Sequence, residues 1–211
     1  MRYTLTVLFI IVIFTLRAQT VKEKFSLDLY KDISPYYTFS YWGEFIFHPG
    51  IKIGYDIPFY NRGKIKMNPK WKKFSFRLHQ FFLNPNMGYF IHPGNHQGLS
   101  FGYDIGYRFT FKCNKDEFWR RNGFFIEVFS NIDYFIQINN GTTYRQNKKG
   151  QIVKSVPLKH YFMPGVAFGL GYSFNESFMM ALRPDISFQM PYSAFVLPRA
   201  FMEICVFHTL K

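Results

Sequence analysis

The stretch LSFGYDIGYRFTFK, residues 99–112, alternates without a break. Leu99, Phe101, Tyr103, Ile105, Tyr107, Phe109 and Phe111 fall on one side. Ser100, Gly102, Asp104, Gly106, Arg108, Thr110 and Lys112 fall on the other. A period of two is that of an extended strand, whose successive side chains point to opposite faces. One face is a row of bulky apolar groups; the other mixes charge with glycine. Water-soluble sheets alternate too, so a single strand does not decide the fold. What decides it is recurrence along the chain, behind an export leader.

Seven further stretches repeat the pattern: 37–47, 51–59, 74–92, 124–138, 161–174, 178–190 and 196–210. In the first, Tyr37, Phe39, Tyr41, Phe45 and Phe47 oppose Thr38, Ser40, Trp42 and Glu44. His48-Pro49-Gly50 reads as a turn that breaks the phase. Residues 61–73, basic and polar, read as a connection. In 74–92, Phe74, Phe76 and Leu78 are expected outside with Arg77 inside. Asn84-Pro85-Asn86 then shifts the phase through a bulge, so that Met87, Tyr89 and Ile91 continue the apolar face. Residues 139–158 form a long polar loop with Arg145, Lys148, Lys149 and Lys154, and Asn175-Glu176-Ser177 is a tight turn. Barrels with short inner turns and long outer loops then place 139–158, His48-Pro49-Gly50 and 92–98 outside.

The opening residues, MRYTLTVLFIIVIFTLRAQT, put Arg2 ahead of an apolar run over 5–16, with a cleavage point after Ala18. That run is short of the roughly 20 apolar residues a spanning helix needs, so it reads as a signal peptide. The expected organisation is a leader over 1–18, a periplasmic segment over 19–35 and one barrel over 36–211. Apolar residues make up 48% of the chain and aromatics 22%, yet the mean hydropathy is only -0.11. Polar residues at regular spacing dilute the apolar ones, which is the signature of transmembrane β-strands. We therefore expect an all-β fold: a closed antiparallel up-and-down transmembrane barrel of eight strands in a Gram-negative outer membrane.

In lipid every backbone amide must pair internally, and a closed barrel does this without edges. The apolar faces then point outward, with Tyr37, Tyr89, Tyr134 and Tyr172 suited to the membrane interfaces. The inward set includes Lys52, Asp56, Arg77, Asp104, Arg108, Glu127, Asp133, Arg183, Asp185, Arg199 and Glu203. Acids and bases nearly match there. An eight-stranded interior is just wide enough to be filled by side chains, so these residues are expected to form an ion-paired lumen network rather than a pore. Inward Gly165, Gly169 and Gly171 make room for bulkier neighbours. Cys113 in a turn and Cys205 within a strand are not expected to pair.

The segments HPGIKIGYDIPF (48–59), NHQGLSFGYDIGYRFTF (95–111), YFMPGVAFGLGYSF (161–174) and RPDISFQMPYSAFVLPRAF (183–201) give the chain a recognisable likeness. From about Trp42 onward it resembles small outer-membrane β-barrel proteins of Bacteroidetes-type bacteria. The resemblance implies fold and location and brings no activity with it. Barrels commonly finish on an aromatic residue; here Phe207 is followed by His208-Thr209-Leu210-Lys211.

The formal charge of +13, part of which leaves with Arg2 and Arg17, favours anionic partners. Export turns that preference from nucleic acid to lipopolysaccharide phosphates. The expected role is structural or interactive: contact with outer-membrane lipid, or an accessory subunit of an envelope complex. Alternatives are a narrow channel, or a lipid A-modifying enzyme with a rim site near His92 and His96. Lipid A deacylase barrels carry Phe-x-His-x-Ser-Asn. Here Phe90-Ile91-His92-Pro93-Gly94-Asn95 has Gly94 in place of the nucleophilic serine. His48, His92 and His96 could meet at the outer rim, but no Cys or acid at recognisable spacing completes a metal set. No glycine-rich phosphate loop runs from a strand into a helix, so no cofactor is expected.

Overall fold

Period-two stretches joined by short turns pair with their sequence neighbours, and the chain does this all the way round. A computed structural model describes residues 33–44, 48–68, 73–94, 96–113, 123–141, 143–146, 150–155, 158–192 and 195–209. Its strands are β1 (Tyr36–Glu44), β2 (His48–Asn68), β3 (Lys73–His92), β4 (His96–Cys113), β5 (Gly123–Asn139), β6 (Thr143–Gln146), β7 (Ile152–Ser155), β8 (Leu158–Ser173), β9 (Phe178–Tyr192) and β10 (Phe195–His208). Eight of them close into one antiparallel ring in the order β1-β10-β9-β8-β5-β4-β3-β2. The seam is the pairing of β1 with β10, from Tyr37 opposite His208 to Gly43 opposite Met202. β6 and β7 form a separate hairpin inside what reads as a plain loop. The expected leader over 1–18, and Phe45 and Phe47 of the first stretch, lie outside the described residues.

Several expectations change. His48-Pro49-Gly50 is not a turn: His48 opens β2 directly opposite Glu44, and Gly50 pairs with both Trp42 and Phe90. Much of 61–73 is not a connection, because β2 runs on to Asn68 and β3 starts at Lys73. The bulge expected in β3 lies in its partner. β3 keeps an unbroken register with β4 from Ser75 to His92, while β2 slips between Pro58 and Tyr60. Pro58 has no N–H to give the ladder, which is where a strand breaks register. Cys113 ends β4 rather than sitting in a turn, and Cys205 is buried and free.

The unbroken phase of β3 turns Leu78 inward and Arg77 outward, where Arg77 is exposed and pairs in register with Lys64 and Phe111. Leu78 joins Ile33, Tyr36, Phe125, Met179, Ala181, Cys205 and Phe207 in an apolar plug toward the end where the first strand enters and the last leaves. A second plug, of Trp42, Phe90, Phe135, Tyr161, Met163 and Phe201, lies toward the opposite end. The charged layer sits between them.

The outer face is the reverse. Phe101, Phe168 and Ile204, which would be hidden in a two-layer sandwich, are 43%, 42% and 46% exposed. Tyr89 and Tyr134 lie outward near one end, bonded to Gln97 at 2.7 Å and His160 at 2.8 Å. Tyr37 and Tyr172 lie outward near the other.

The inward glycines do make room. A Cβ on Gly169 would lie 2.3 Å from Glu127 Cγ, and one on Gly171 would lie 2.1 Å from the Phe125 ring. Glu127 is held from two sides, as described below, and cannot step back. Gly169→Val is therefore expected to destabilise the barrel by about 1–3 kcal/mol through overpacking, read as a lower urea midpoint of the refolded protein. An unchanged midpoint would mean that Glu127 is free to move.

Candidate functional site

Two groups of polar residues stand out: the charged layer and the mouth above it. In the charged layer, Arg108 forks onto Asp56, with Nη2 donating to Oδ2 at 2.8 Å and Nη1 to Oδ1 at 3.3 Å. Its Nε donates to Glu127 Oε2 at 3.0 Å. Arg183 donates from Nε to Glu127 Oε1 at 2.6 Å and from Nη1 to Glu203 Oε1 at 3.3 Å. Glu127 thus bridges two guanidinium groups, and all three residues are fully buried. Aromatic faces complete the shell: Phe82 and Phe207 flank Arg108 at 4.7 and 4.8 Å, and Phe129 lies 4.9 Å from Arg183. Lys52 Nζ lies 3.4 Å from Asp104 Oδ1 and 3.5 Å from Glu203 Oε2.

Of the expected network, Lys52, Asp56, Asp104, Arg108, Glu127, Asp133, Arg183, Asp185 and Glu203 are buried in the lumen. Two residues are corrections. Arg77 is outside, because β3 does not shift phase. Arg199 is at the mouth, where its Nε donates to Glu44 and its Nη1 to Gln189 at 3.2 Å. The buried layer is therefore not balanced: six acids face three bases. Neutral donors make up part of the difference, since an unsatisfied buried carboxylate is costly. Ser40 Oγ donates to Glu203 at 2.6 Å, Asn84 Nδ2 to Asp104 at 3.0 Å, and Asn131 Nδ2 to Asp185 at 2.8 Å. Ser187 Oγ lies 3.1 Å from Asp185. Ser40, Asn131 and Ser187 share the inward phase in the sequence, whereas Asn84 is hidden there by the bulge expected at Asn84-Pro85-Asn86. Asp133 keeps one buried oxygen, Oδ1, without a hydrogen-bond partner.

Above the second plug, the strand ends enclose a cavity of about 610 Å³ lined by Glu44, His48, His92, His96, Lys159 and Arg199, among others. The three rim histidines do meet. His48 and His92 stack with ring centroids 3.7 Å apart, and His92 and His96 lie 5.0 Å apart. Strand phase puts them there: His48 is in step with inward Gly50 and Lys52, and His92 with inward Phe90. His48 Nδ1 lies 3.2 Å from Glu44 Oε2 without hydrogen-bond alignment, and both ring nitrogens of His96 are buried and unpartnered. Glu44 is the acid missing from the spacing argument, supplied across the strand pair. The described residues lining this cavity include no Ser, Thr or Cys to act as a nucleophile.

A closed eight-stranded antiparallel barrel with a filled, ion-paired lumen and a histidine-lined mouth is the class of protein that this geometry defines. A scan against protein-family models finds no match to the chain, and a search of curated proteins finds none similar to it.

Proposed function

We propose that the chain is an integral outer-membrane barrel with a sealed lumen and a structural or interactive role at the cell envelope. One observation carries this reading: large apolar side chains stand exposed around the whole ring while charges fill its interior. In water the largest apolar patch on a monomer is a few hundred Å², whereas a bilayer asks for an apolar band all round. The outward tyrosines near both ends suit the two interfaces of such a band. Orientation follows from the connections: the mouth shares its end with the longest one, 140–157, and faces outward. Exposed Lys154 in that connection favours contact with lipopolysaccharide phosphates. Buried arginines and edge-to-face phenylalanines across the lumen favour a sealed interior, so planar bilayers containing the protein should show no conductance.

Membrane fractionation of cells making the full chain tests the reading. Recovery in the outer membrane, with gel migration that shifts on boiling, is expected. Recovery in the soluble periplasm would overturn it.

A further inference from the structure

We infer that Glu44, His48 and His92 form a binding site for a divalent first-row transition metal at the mouth of the barrel. Each residue offers a ligand atom, and these atoms all lie within 4.8 Å of one another. Ligands on one tetrahedral zinc are separated by about 3.4 Å, so the set needs to close by little more than an ångström to share one ion. Binding would swing the stacked imidazoles apart so that both lone pairs reach the ion. The donors stand at the ends of three adjacent strands, β1, β2 and β3, so hydrogen-bonded backbone fixes their spacing.

The donor chemistry selects the ion. Two imidazoles and one carboxylate suit Zn²⁺, Ni²⁺ or Cu²⁺, whereas Ca²⁺ and Mg²⁺ take oxygen ligands. Arg199 holds one oxygen of Glu44 and leaves Oε2 toward His48, the orienting contact that metal-bound carboxylates commonly have. His48 Nδ1 is cut off from solvent and faces that oxygen at 3.2 Å without hydrogen-bond alignment, so an ion set between the two would give both a ligand contact. Three protein ligands leave a fourth position on the ion; His96, its ring centroid 5.0 Å from that of His92, lines the same cavity. The site requires the ring of strands and is independent of what surrounds the ring.

Titration calorimetry with ZnCl₂ on the detergent-refolded protein tests this. About one Zn²⁺ per chain should bind, and His48→Ala and His92→Ala should each weaken binding by at least about 100-fold, beyond the loss typical of an outer-shell change. His160→Ala, on the outer wall, should bind as wild type. Boiling-dependent gel migration identifies variants that still form the barrel. Co²⁺ absorption gives a second readout, since Glu44→Gln should alter its ligand-field bands. No Zn²⁺ binding by the wild type, or equal binding by barrel-forming His48→Ala and His92→Ala, would overturn the inference.

Discussion

Glu127→Gln should destabilise the barrel by about 3–5 kcal/mol, the cost of leaving buried charge without its partner. Glu127 is the single carboxylate shared by Arg108 and Arg183, and all three are cut off from solvent. The amide keeps the shape but offers one acceptor where two cations need two. At usual urea sensitivities this lowers the unfolding midpoint on the order of 2 M. Asp133→Asn is the contrast. It removes one charge from an acid-rich layer and replaces a carboxylate with one unpartnered oxygen. That change should be neutral or mildly stabilising, because a buried charge in excess contributes little to stability. Equal losses from the two substitutions would show that the layer does not depend on charge pairing.

The second large effect is expected on the outer wall. Phe168→Arg, placed midway along β8 and outward, should cost about 2–4 kcal/mol in a phospholipid bilayer. The same change on a water-facing sheet stays within about 0.5 kcal/mol. Unfolding of the variant from liposomes, compared with wild type, measures the difference. A loss below 1 kcal/mol would fit a wall bathed in water.

The fold was legible because alternation is a long-range signal repeated on every strand. Most of the ring strands announce which face is which by residue type, as β4 does throughout its length. The failures share one cause. Phase was broken at two prolines, in His48-Pro49-Gly50 and in Asn84-Pro85-Asn86, although a barrel strand tolerates proline when the geometry of its neighbours permits. Pro85 sits outward opposite Tyr103 with the register intact. Carrying the phase through Gly50 would have put His48 in the mouth, and carrying it through Pro85 would have put Arg77 outside. Leu78 misled for a related reason: an inward leucine looks wrong on a polar face until an apolar plug closes the lumen. The mouth was only half legible. Three histidines near turns were visible, and Glu44 stands only four residues before His48, but reading His48-Pro49-Gly50 as a turn hid the strand register that sets the two side by side.

The central claim is that lipid surrounds the wall while the charged face is sealed inside. Spin labels on single cysteines at positions 101, 168 and 204 in the Cys-free protein, reconstituted in liposomes, test it most directly. Labels at all three positions should collide freely with dissolved oxygen and hardly at all with a water-soluble nickel chelate. Ready collision with the chelate at these positions would place the wall in water and contradict the account.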